Sequence, residues 1–251
     1  MIFRFLRLRK DALAACTSAA ALWTPKRRVA SGWTEHAPFA FWVVEALRPR
    51  TLVELGTHSA YSYFAFCQAV QRLGLNTRCH AVDTWRGDEH SGFYGEEIFE
   101  EISRYQARQE YGGFSRFWRL AFDEALLQFE DGSIDLLHLD GRHYYEDVRH
   151  DFETWRPKLS SRAVVLFHDI GVHERDFGVR RFWDEVKAQY PHFEFSHGHG
   201  LGVLGVGARL PRTMRRLCQA SANRDDANEI RQAYARLGAS LDGQHLETNG
   251  P

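Results

Sequence analysis

The stretch IDLLHLDGRHYYEDVRHDFETW, Ile134 to Trp155, joins an apolar run to a segment rich in titratable side chains. The first half ends at Asp140-Gly141, and a short apolar run closed by a glycine is typical of a buried β-strand. In the second half, apolar residues from Tyr145 to Trp155 recur at helical spacing, which predicts an amphipathic helix. A buried strand that passes directly into a helix indicates an α/β domain.

The same alternation of strand and helix recurs on both sides of this stretch. TLVELGT, RCHAVDTW and RAVVLFHD predict three further strands, and FWRLAF predicts a weaker one. Helices are predicted over HAPFAFWVVEALRPR, over GVRRFWDEVKAQY and over SAYSYFAFCQAVQRLG, with Ser59 as the N-cap of the last. FEFSH and GLGVLGVG predict a closing hairpin. The sequence therefore predicts an α/β fold with a doubly wound, mostly parallel seven-stranded sheet whose last strand pair is antiparallel.

Two changes of composition divide the chain into three parts. Residues 1–31 form a basic N-terminal extension, residues 32–207 hold the α/β domain, and residues 208–251 read as a helical extension with a flexible tail from Ala239. The apolar part of the basic segment is alanine-rich and Asp11 interrupts it, which argues against a signal peptide. We expect it to pack on the domain or on a partner subunit, and peripheral membrane contact is the alternative.

Charge and cysteine usage narrow the class of protein. The formal net charge of the 251-residue chain is −1, which gives no electrostatic reason to expect a nucleic-acid partner. The four cysteines form no C-x-x-C pair, so we expect free thiols and a cytoplasmic location. The sequence leaves open whether the protein forms a homo-oligomer.

Acidic or imidazole side chains stand at the ends of four predicted strands. They are Glu54, Asp83, Asp140 and the pair His168-Asp169. Because the carboxyl ends of parallel strands meet at one edge of a sheet, these groups should share one rim, where such folds bind their ligands. The rim therefore predicts a binding site.

The turn after the first strand indicates what that site binds. VELGTHSAYS has Gly56 at the turn but lacks the G-x-G-x-x-G dinucleotide pattern. Asp83 follows the next strand, 29 residues after Glu54, where a carboxylate suits a ribose diol. These features predict an adenosyl ligand held without phosphate recognition.

Four motifs together resemble the class I S-adenosylmethionine-dependent methyltransferases, which have a Rossmann-like fold. VELGTHSAYS, HAVDTW, IDLLHLDGRHYYEDV and VVLFHD stand in the order and spacing of that family. The similarity covers roughly residues 32 to 207 and is greatest to bacterial macrolide-sugar O-methyltransferases and cephalosporin-hydroxylase-like proteins. One departure is Ala60, where the family usually has a second glycine.

The resemblance implies roles for particular residues. The cofactor S-adenosyl-L-methionine would be bound by Glu54, Gly56, Thr57, Ser62, Asp83, Trp85, Ala121 and Phe122. A divalent ion, Mg²⁺ or Mn²⁺, would be bound by Asp140, His168 and Asp169. His143 would be the general base beside Asp140, or else a helix-start residue that orients the loop. HGHGLG, at His197 to Gly202, is interpreted as a tight hairpin and not as a metal site.

The resulting hypothesis is an O-methyltransferase that modifies a saccharide or glycoconjugate hydroxyl, with metal assistance as an option. Two alternatives stay open. One is methylation of a small phenolic or antibiotic intermediate on the same fold. The other is a non-catalytic adenosyl-binding module that serves as partner of a glycan-assembly enzyme.

Overall fold

The computed structural model describes residues 12–174 and 176–247. The strands are β1 (Thr51–Leu55), β2 (Arg78–Val82), β3 (Gly87–Asp88), β4 (Gly92–Phe93), β5 (Ser115–Trp118), β6 (Ile134–Leu139), β7 (Leu159–His168), β8 (His192–Phe195) and β9 (Leu201–Gly205). Seven of them form one sheet in the order β5-β2-β1-β6-β7-β9-β8, and β3 pairs with β4 in a separate hairpin.

Helices precede the first strand, connect most of the strands and follow the last one. They are α1 (12–16), α2 (Ala37–Leu47), α3 (Tyr61–Arg72), α4 (Glu96–Arg108), α5 (Phe122–Ala125), α6 (Tyr145–Trp155), α7 (Val179–Val186), α8 (Arg212–Ala220) and α9 (Arg224–Glu247). None of the helices in the described residues combines the length and the apolar composition needed to cross a membrane.

The strand directions confirm the predicted fold. Neighbouring strands from β5 through β7 run parallel, and β9 lies antiparallel to both β7 and β8. The order reverses between β1 and β6, because the chain builds outward from β1 on one side and from β6 on the other. Such a reversal opens a crevice above the carboxyl ends of the two strands.

Side chains alternate between two apolar layers because successive residues of a strand point to opposite faces. Leu52 on β1 and Leu136 on β6 pack with α2, α3, α8 and α9. Val53 and Leu137, one residue further along each strand, pack with α6 and α7. The sheet is therefore covered on both faces, and its carboxyl-end rim is where polar groups can meet solvent.

The two predicted extensions share this core within the described residues. Cys16 and Ala20 from the amino-terminal segment are fully buried in the same layer as Ile230 and Tyr234 of α9. Arg27 is 4% exposed, pairs with Glu101 and donates to the carbonyl of Ser59. Residues 1–11 of the predicted basic extension lie outside the described residues.

Three local predictions are corrected by the structure. The tail expected to be flexible from Ala239 is helical as far as Glu247. The N-cap of α3 is Ala60, not Ser59, and it adopts a left-handed φ of 61°. The predicted strand FWRLAF corresponds to β5, which ends at Trp118. Ala121 and Phe122 therefore lie at the start of α5 and not in a strand.

Candidate active site

The predicted rim residues lie side by side because the strands are in register. Leu55 is paired with Val82 and with Leu139, and Leu139 is paired with Phe167. The next residue of each strand is therefore Gly56, Asp83, Asp140 or His168, and these four positions form one row across the rim.

Two adjoining cavities open above this row. The first has a volume of about 250 Å³ and is lined by Asp83, Ala121, Phe122, Gly141 and Asp151 among others. The second has a volume of about 820 Å³ and is lined on the opposite side of Asp140 by residues that include Thr57, Ser62, His168 and Asp169. Their shared lining residues are Gly56, His58, Ser91, Asp140 and His143. The acids and imidazoles of the rim therefore lie at the junction of two chambers.

Gly56 is required by the close approach of two loops. Its φ is +82°, and a Cβ atom there would lie 2.1 Å from the carbonyl oxygen of Asp140. No other residue fits this position without moving the end of β6. The glycine therefore brings the turn after β1 against Asp140, and the same turn lines both cavities.

Asp83 joins the loops that follow β1 and β2. One carboxylate oxygen accepts hydrogen bonds from the backbone N–H groups of Thr57 and His58, at 2.8 and 2.9 Å. The other oxygen accepts from the N–H of Trp85 at 2.7 Å. Asp83 is 9% exposed and lines the first cavity, so it holds the loops in place while facing the chamber.

Two predicted cofactor residues are turned away from both cavities. Trp85 is 1% exposed, and its indole N–H donates to the carbonyl of His58 at 3.1 Å beneath the loop. Glu54 is fully buried because it belongs to the face of β1 that packs against α2 and α3. Neither residue is part of a cavity lining, and direct contact of either with a cofactor stays a prediction.

Glu54 instead belongs to a buried chain of hydrogen bonds. The indole N–H of Trp33 donates to Nε2 of His138 at 3.0 Å, so the ring proton of a neutral His138 is on Nδ1. Nδ1 lies 2.8 Å from Oε2 of Glu54 and donates to it. Burial raises the pKa of Glu54, and the contact with His138 opposes that rise. We call these three residues the sealed triad.

A second group of acids and imidazoles faces the cavities, and we call it the open cluster. Nε2 of His143 lies 2.8 Å from Oδ2 of Asp169 and 3.9 Å from Oδ1 of Asp140. Nδ1 of His168 lies 3.1 Å from Oδ1 of Asp140 and 3.3 Å from Oδ2 of Asp169. The structure thus brings together the four residues that the sequence singled out after β6 and β7.

The charges of the open cluster support one another. Burial alone would lower the pKa of both histidines, but the two carboxylates raise it to about 9 for His143 and to about 10 for His168. Burial would raise the pKa of Asp140 and Asp169, but attraction to His168 and the contacts with His143 hold both below the usual range. At neutral pH the cluster therefore pairs two carboxylates with protonated imidazoles.

His199 is a member of the open cluster that sequence reasoning missed. Its Nδ1 donates to Oδ1 of Asp169 at 3.0 Å, and its ring stacks on His168 with centroids 5.9 Å apart. It belongs to the segment between β8 and β9 that was read as a simple hairpin. Gly171 makes the approach feasible, because a Cβ there would lie 2.8 Å from the carbonyl oxygen of His199.

The β3–β4 hairpin and the loop before α7 cover the junction of the cavities. His90, at the hairpin tip, lies 4.6 Å from the ring of Phe177. Phe177 in turn stacks on His143, with centroids 4.4 Å apart and planes at 8°. The imidazole of His143 is therefore held between an aromatic ring and the carboxylates, which fixes its orientation.

Comparisons with known proteins agree with this architecture. Residues 53–170 match a family model described as a methyltransferase domain. The chain is 50% identical over 210 residues to the uncharacterized protein y4gI of Sinorhizobium fredii (strain NBRC 101917 / NGR234), which covers 84% of this chain. The chain spans only 23% of the length of that relative.

Solved structures share the fold at low sequence identity. The O-methyltransferase TomG of Streptomyces achromogenes, in complex with S-adenosylmethionine, superposes with a TM-score of 0.52 at 15% identity and covers 78% of this chain and 90% of its own. The methyltransferase PaMTH1 of Podospora anserina, bound to S-adenosylhomocysteine, gives a TM-score of 0.52 at 13% identity and covers 78% and 87%. Together with the family match over residues 53–170, these structures show that the chain contains a methyltransferase domain with the fold of the class I, S-adenosylmethionine-dependent methyltransferases.

Proposed function

We propose that the protein transfers a methyl group from S-adenosylmethionine to a hydroxyl oxygen of a saccharide or glycoconjugate, with assistance from a divalent cation. The observation that carries this proposal is the junction of the two cavities, where Asp140 and His143 line both chambers. The adenosyl half of the methyl donor in the first chamber and an acceptor in the second would bring the reacting methyl group and hydroxyl to groups able to bind and deprotonate that hydroxyl.

The first cavity suits the adenosyl half of the cofactor. Asp83 lines it, and Oδ1, which accepts only from the N–H of Trp85, has one lone pair left with which to accept from a ribose hydroxyl. Phe122 supplies an aromatic surface for the adenine. Thr57 and Ser62 line the second cavity, into which the methionine half would extend. Ala60 is fully buried and outside both linings, so its methyl group takes no room from the cofactor.

The open cluster suits removal of the acceptor proton. Methyl transfer to oxygen is in line from the sulfonium, and the hydroxyl proton must leave before or during the step. Asp140 and Asp169 are ionised and able to accept a hydrogen bond from that hydroxyl. Because the carboxylates raise the pKa of His143 to about 9, His143 must lose its own proton before it can serve as the base.

The donor set of the cluster fits a divalent cation. Asp140, His143 and Asp169 each offer one ligand atom, and these atoms lie within 4.8 Å of one another. An ion held instead by Asp140, Asp169 and His168, whose Nδ1 contacts both carboxylates, would leave His143 as the base. Mixed oxygen and nitrogen donors favour Mn²⁺ over Mg²⁺. When bound, such an ion lowers the pKa of a coordinated hydroxyl.

The lining of the second cavity supports a polar acceptor. Ser31, His90, His173 and Glu174 line its walls together with Phe177, and the chamber is about 820 Å³ in volume. Several hydrogen-bonding groups and one aromatic face match a polyhydroxylated ring better than a flat phenol. A small phenolic or antibiotic intermediate remains the alternative acceptor. Assembly of the open cluster at the junction favours catalysis over a purely binding role.

The proposed cofactor is tested by calorimetric titration of the full chain with S-adenosylmethionine and S-adenosylhomocysteine. We expect saturable micromolar binding. Transfer is then tested with methyl-labelled S-adenosylmethionine against panels of glycans and phenols, with and without Mn²⁺. Label in a glycan fraction supports the proposal, and label only in phenols replaces the acceptor class. Binding without transfer to either panel would favour the partner-module hypothesis.

The proposal also includes the location and the assembly of the protein. All four cysteines are buried free thiols, which supports our proposal of a reducing, cytoplasmic setting. Association into homo-oligomers and peripheral membrane contact through the basic N-terminal extension, residues 1–31, stay predictions. Size-exclusion chromatography with light scattering, and sedimentation with anionic vesicles, would test them.

A further inference from the structure

The turn between β1 and α3 contains two residues in a left-handed backbone conformation. His58 has a φ of 45° and Ala60 has a φ of 61°. This conformation is costly for a residue with a side chain, because it brings the Cβ atom close to the following carbonyl oxygen. Such residues persist where contacts with the rest of the protein hold them in place. We call residues 57–60 the strained turn, and it lines the second cavity through Thr57, His58 and Ser59.

The strained turn is held by side chains from two different parts of the chain. On the side of β2, Asp83 accepts from the backbone N–H of His58, and the indole N–H of Trp85 donates to the His58 carbonyl. The next carbonyl along the turn belongs to Ser59. Nε and Nη2 of Arg27, from the amino-terminal segment, donate to this oxygen at 3.2 and 2.8 Å. The peptide group that joins the two left-handed residues is therefore anchored by Arg27.

The guanidinium group of Arg27 is itself fixed in direction. Arg27 is 4% exposed, and its Nη1 and Nη2 donate to the two carboxylate oxygens of Glu101 on α4, at 2.6 and 2.5 Å. The ring centroid of Tyr105, also on α4, lies 4.9 Å from its Cζ. All three nitrogens of the guanidinium thus donate, and a planar fork with this pairing has little freedom to turn. Arg27 is therefore a rigid link between α4 and the strained turn.

The chain on both sides of Arg27 is fixed as well. The side-chain amide of Gln68 on α3 accepts from the backbone N–H of Lys26 at 2.7 Å and donates to the carbonyl of Thr24 at 2.9 Å. Beyond Arg27, residues 30–32 line the second cavity. The amino-terminal segment is therefore attached to α3 before it reaches the cavity, and Arg27 lies between the attachment and the cavity wall.

We propose that Arg27 is a positioning residue for the cofactor, because it holds the strained turn in the shape that binds S-adenosylmethionine. The inference rests on the proposed function, since it assumes that the methionine half contacts Thr57 and Ser62. Without Arg27 the backbone at Ala60 would relax out of the left-handed region and redirect the polar groups of the turn. Ala60→Gly would remove the need for this support, because glycine adopts left-handed and right-handed conformations about equally readily.

The experiment is a double-mutant cycle between Arg27 and Ala60, measured by calorimetric titration of the full chain with S-adenosylhomocysteine. Arg27→Gln should lower the affinity at least about tenfold, because the strained turn loses its anchor. In the Ala60→Gly background the same change should cost less than about threefold, and Ala60→Gly alone should stay within about threefold of wild type. A loss of affinity that depends on residue 60 distinguishes positioning of the turn from a general weakening of the fold.

Arg72→Gln is the matched control. Arg72 is exposed on α3, and its Cζ lies 4.2 Å from the ring centroid of Trp23 in the same amino-terminal segment. The change weakens that segment's contact with α3 but leaves the Ser59 carbonyl bonded, so affinity should stay within about twofold of wild type. Urea denaturation shows whether each variant is folded. Arg27→Lys, which keeps a charge beside Glu101, replaces Arg27→Gln if the latter is unfolded, and the same pattern is expected because an ammonium group lacks the planar fork.

The outcomes separate this inference from the proposed function. Wild-type affinity in a folded Arg27 variant, or an equal loss of affinity with and without Ala60→Gly, would overturn the inference alone. No S-adenosylhomocysteine binding by the wild type would overturn the proposed function as well.

Discussion

The sealed triad and the open cluster use the same residue types on neighbouring strands, yet their surroundings differ. Glu54 and His138 face each other in register inside the sheet, and both are fully buried under α2 and α3. Asp140 is two residues beyond His138 and past the end of β6, where 20% of its side chain is exposed to the cavities. A distance of two residues separates a structural pair from a candidate active site.

This difference shows that the role of an acidic residue near a strand end depends on whether it lies inside the strand or beyond its end. Inside the strand both faces are covered, so a polar group must find a partner within the protein. Past the strand end the chain leaves the sheet, and the same groups face a chamber that a ligand can enter. Mutations should therefore affect stability at the sealed triad and ligand binding at the open cluster.

The largest effect is expected from His138→Ala in the sealed triad. The change would leave Glu54 buried without its partner, so the free energy of unfolding should fall by about 3 kcal/mol or more. Urea denaturation measures this. His143→Ala in the open cluster is the matched comparison, and both variants are measured at about pH 10. His143 has lost its proton there, because its pKa is about 9, so removing the neutral imidazole should cost under about 1 kcal/mol. Equal losses of unfolding free energy in the two variants would show that the sealed triad and the open cluster do not differ in their contribution to stability.

The next effect concerns Asp151, a cavity acid whose side chain has no hydrogen-bond partner among the described residues. Its folded pKa of about 7 exceeds that of an unfolded aspartate, so its ionisation destabilises the fold progressively from about pH 4 to pH 7 and fully above that. Asp151→Asn should raise the free energy of unfolding by about 2–3 kcal/mol at pH 8 and by little at pH 4.5. Thermal unfolding across this range tests the sign. A gain that is independent of pH would contradict it.

Asp83→Asn tests the acid that faces the first cavity while holding the loops. We expect S-adenosylhomocysteine affinity to fall by about 30- to 100-fold, because the amide NH₂ cannot accept from a backbone N–H or a ribose hydroxyl. Calorimetry measures this, with Asp131→Asn as the control on an exposed acid that pairs with Lys158. Unchanged affinity would show that the cofactor does not contact Asp83.

The smallest effect separates two substitutions of His199. His199→Asn keeps a donor near the place of Nδ1, whereas His199→Gln moves it outward. Mn²⁺ affinity, measured by electron paramagnetic resonance, should fall about tenfold in the Gln variant and by less than threefold in the Asn variant. His150→Gln, in an exposed pair with Asp123, is the control. Similar Mn²⁺ affinities for all variants would show that His199 does not help to orient the metal-binding residues of the open cluster.

The sequence predicted the sheet because its signals are local. Apolar runs of strand length, closed by glycine or acid and followed by helical spacing, are set by neighbouring residues, and their order gave the doubly wound topology. The row of Gly56, Asp83, Asp140 and His168 also followed, because parallel strands end at one edge. These predictions needed only chain order and strand direction.

The orientation of individual side chains could not be predicted in the same way. Glu54 and Trp85 both belong to the predicted motifs. Glu54 lies on the face of β1 that α2 and α3 cover, and Trp85 is buried beneath the loop that contains His58. Asp151 lies within the helix predicted from Tyr145 to Trp155, but only the packing of α6 shows that this position lines a cavity. His199 lies 30 residues beyond Asp169 and reaches it through a hairpin.

The sequence by itself determined the fold class, the doubly wound topology and the rim where polar groups gather, because periodicity and turn residues act over a few positions. Only the tertiary structure decided which of those groups are sealed and which are open. Whether a group is sealed or open depends on which helices cover each face of the sheet and on how far the chain extends past the end of each strand. Packing between distant segments sets both, and no local pattern records it.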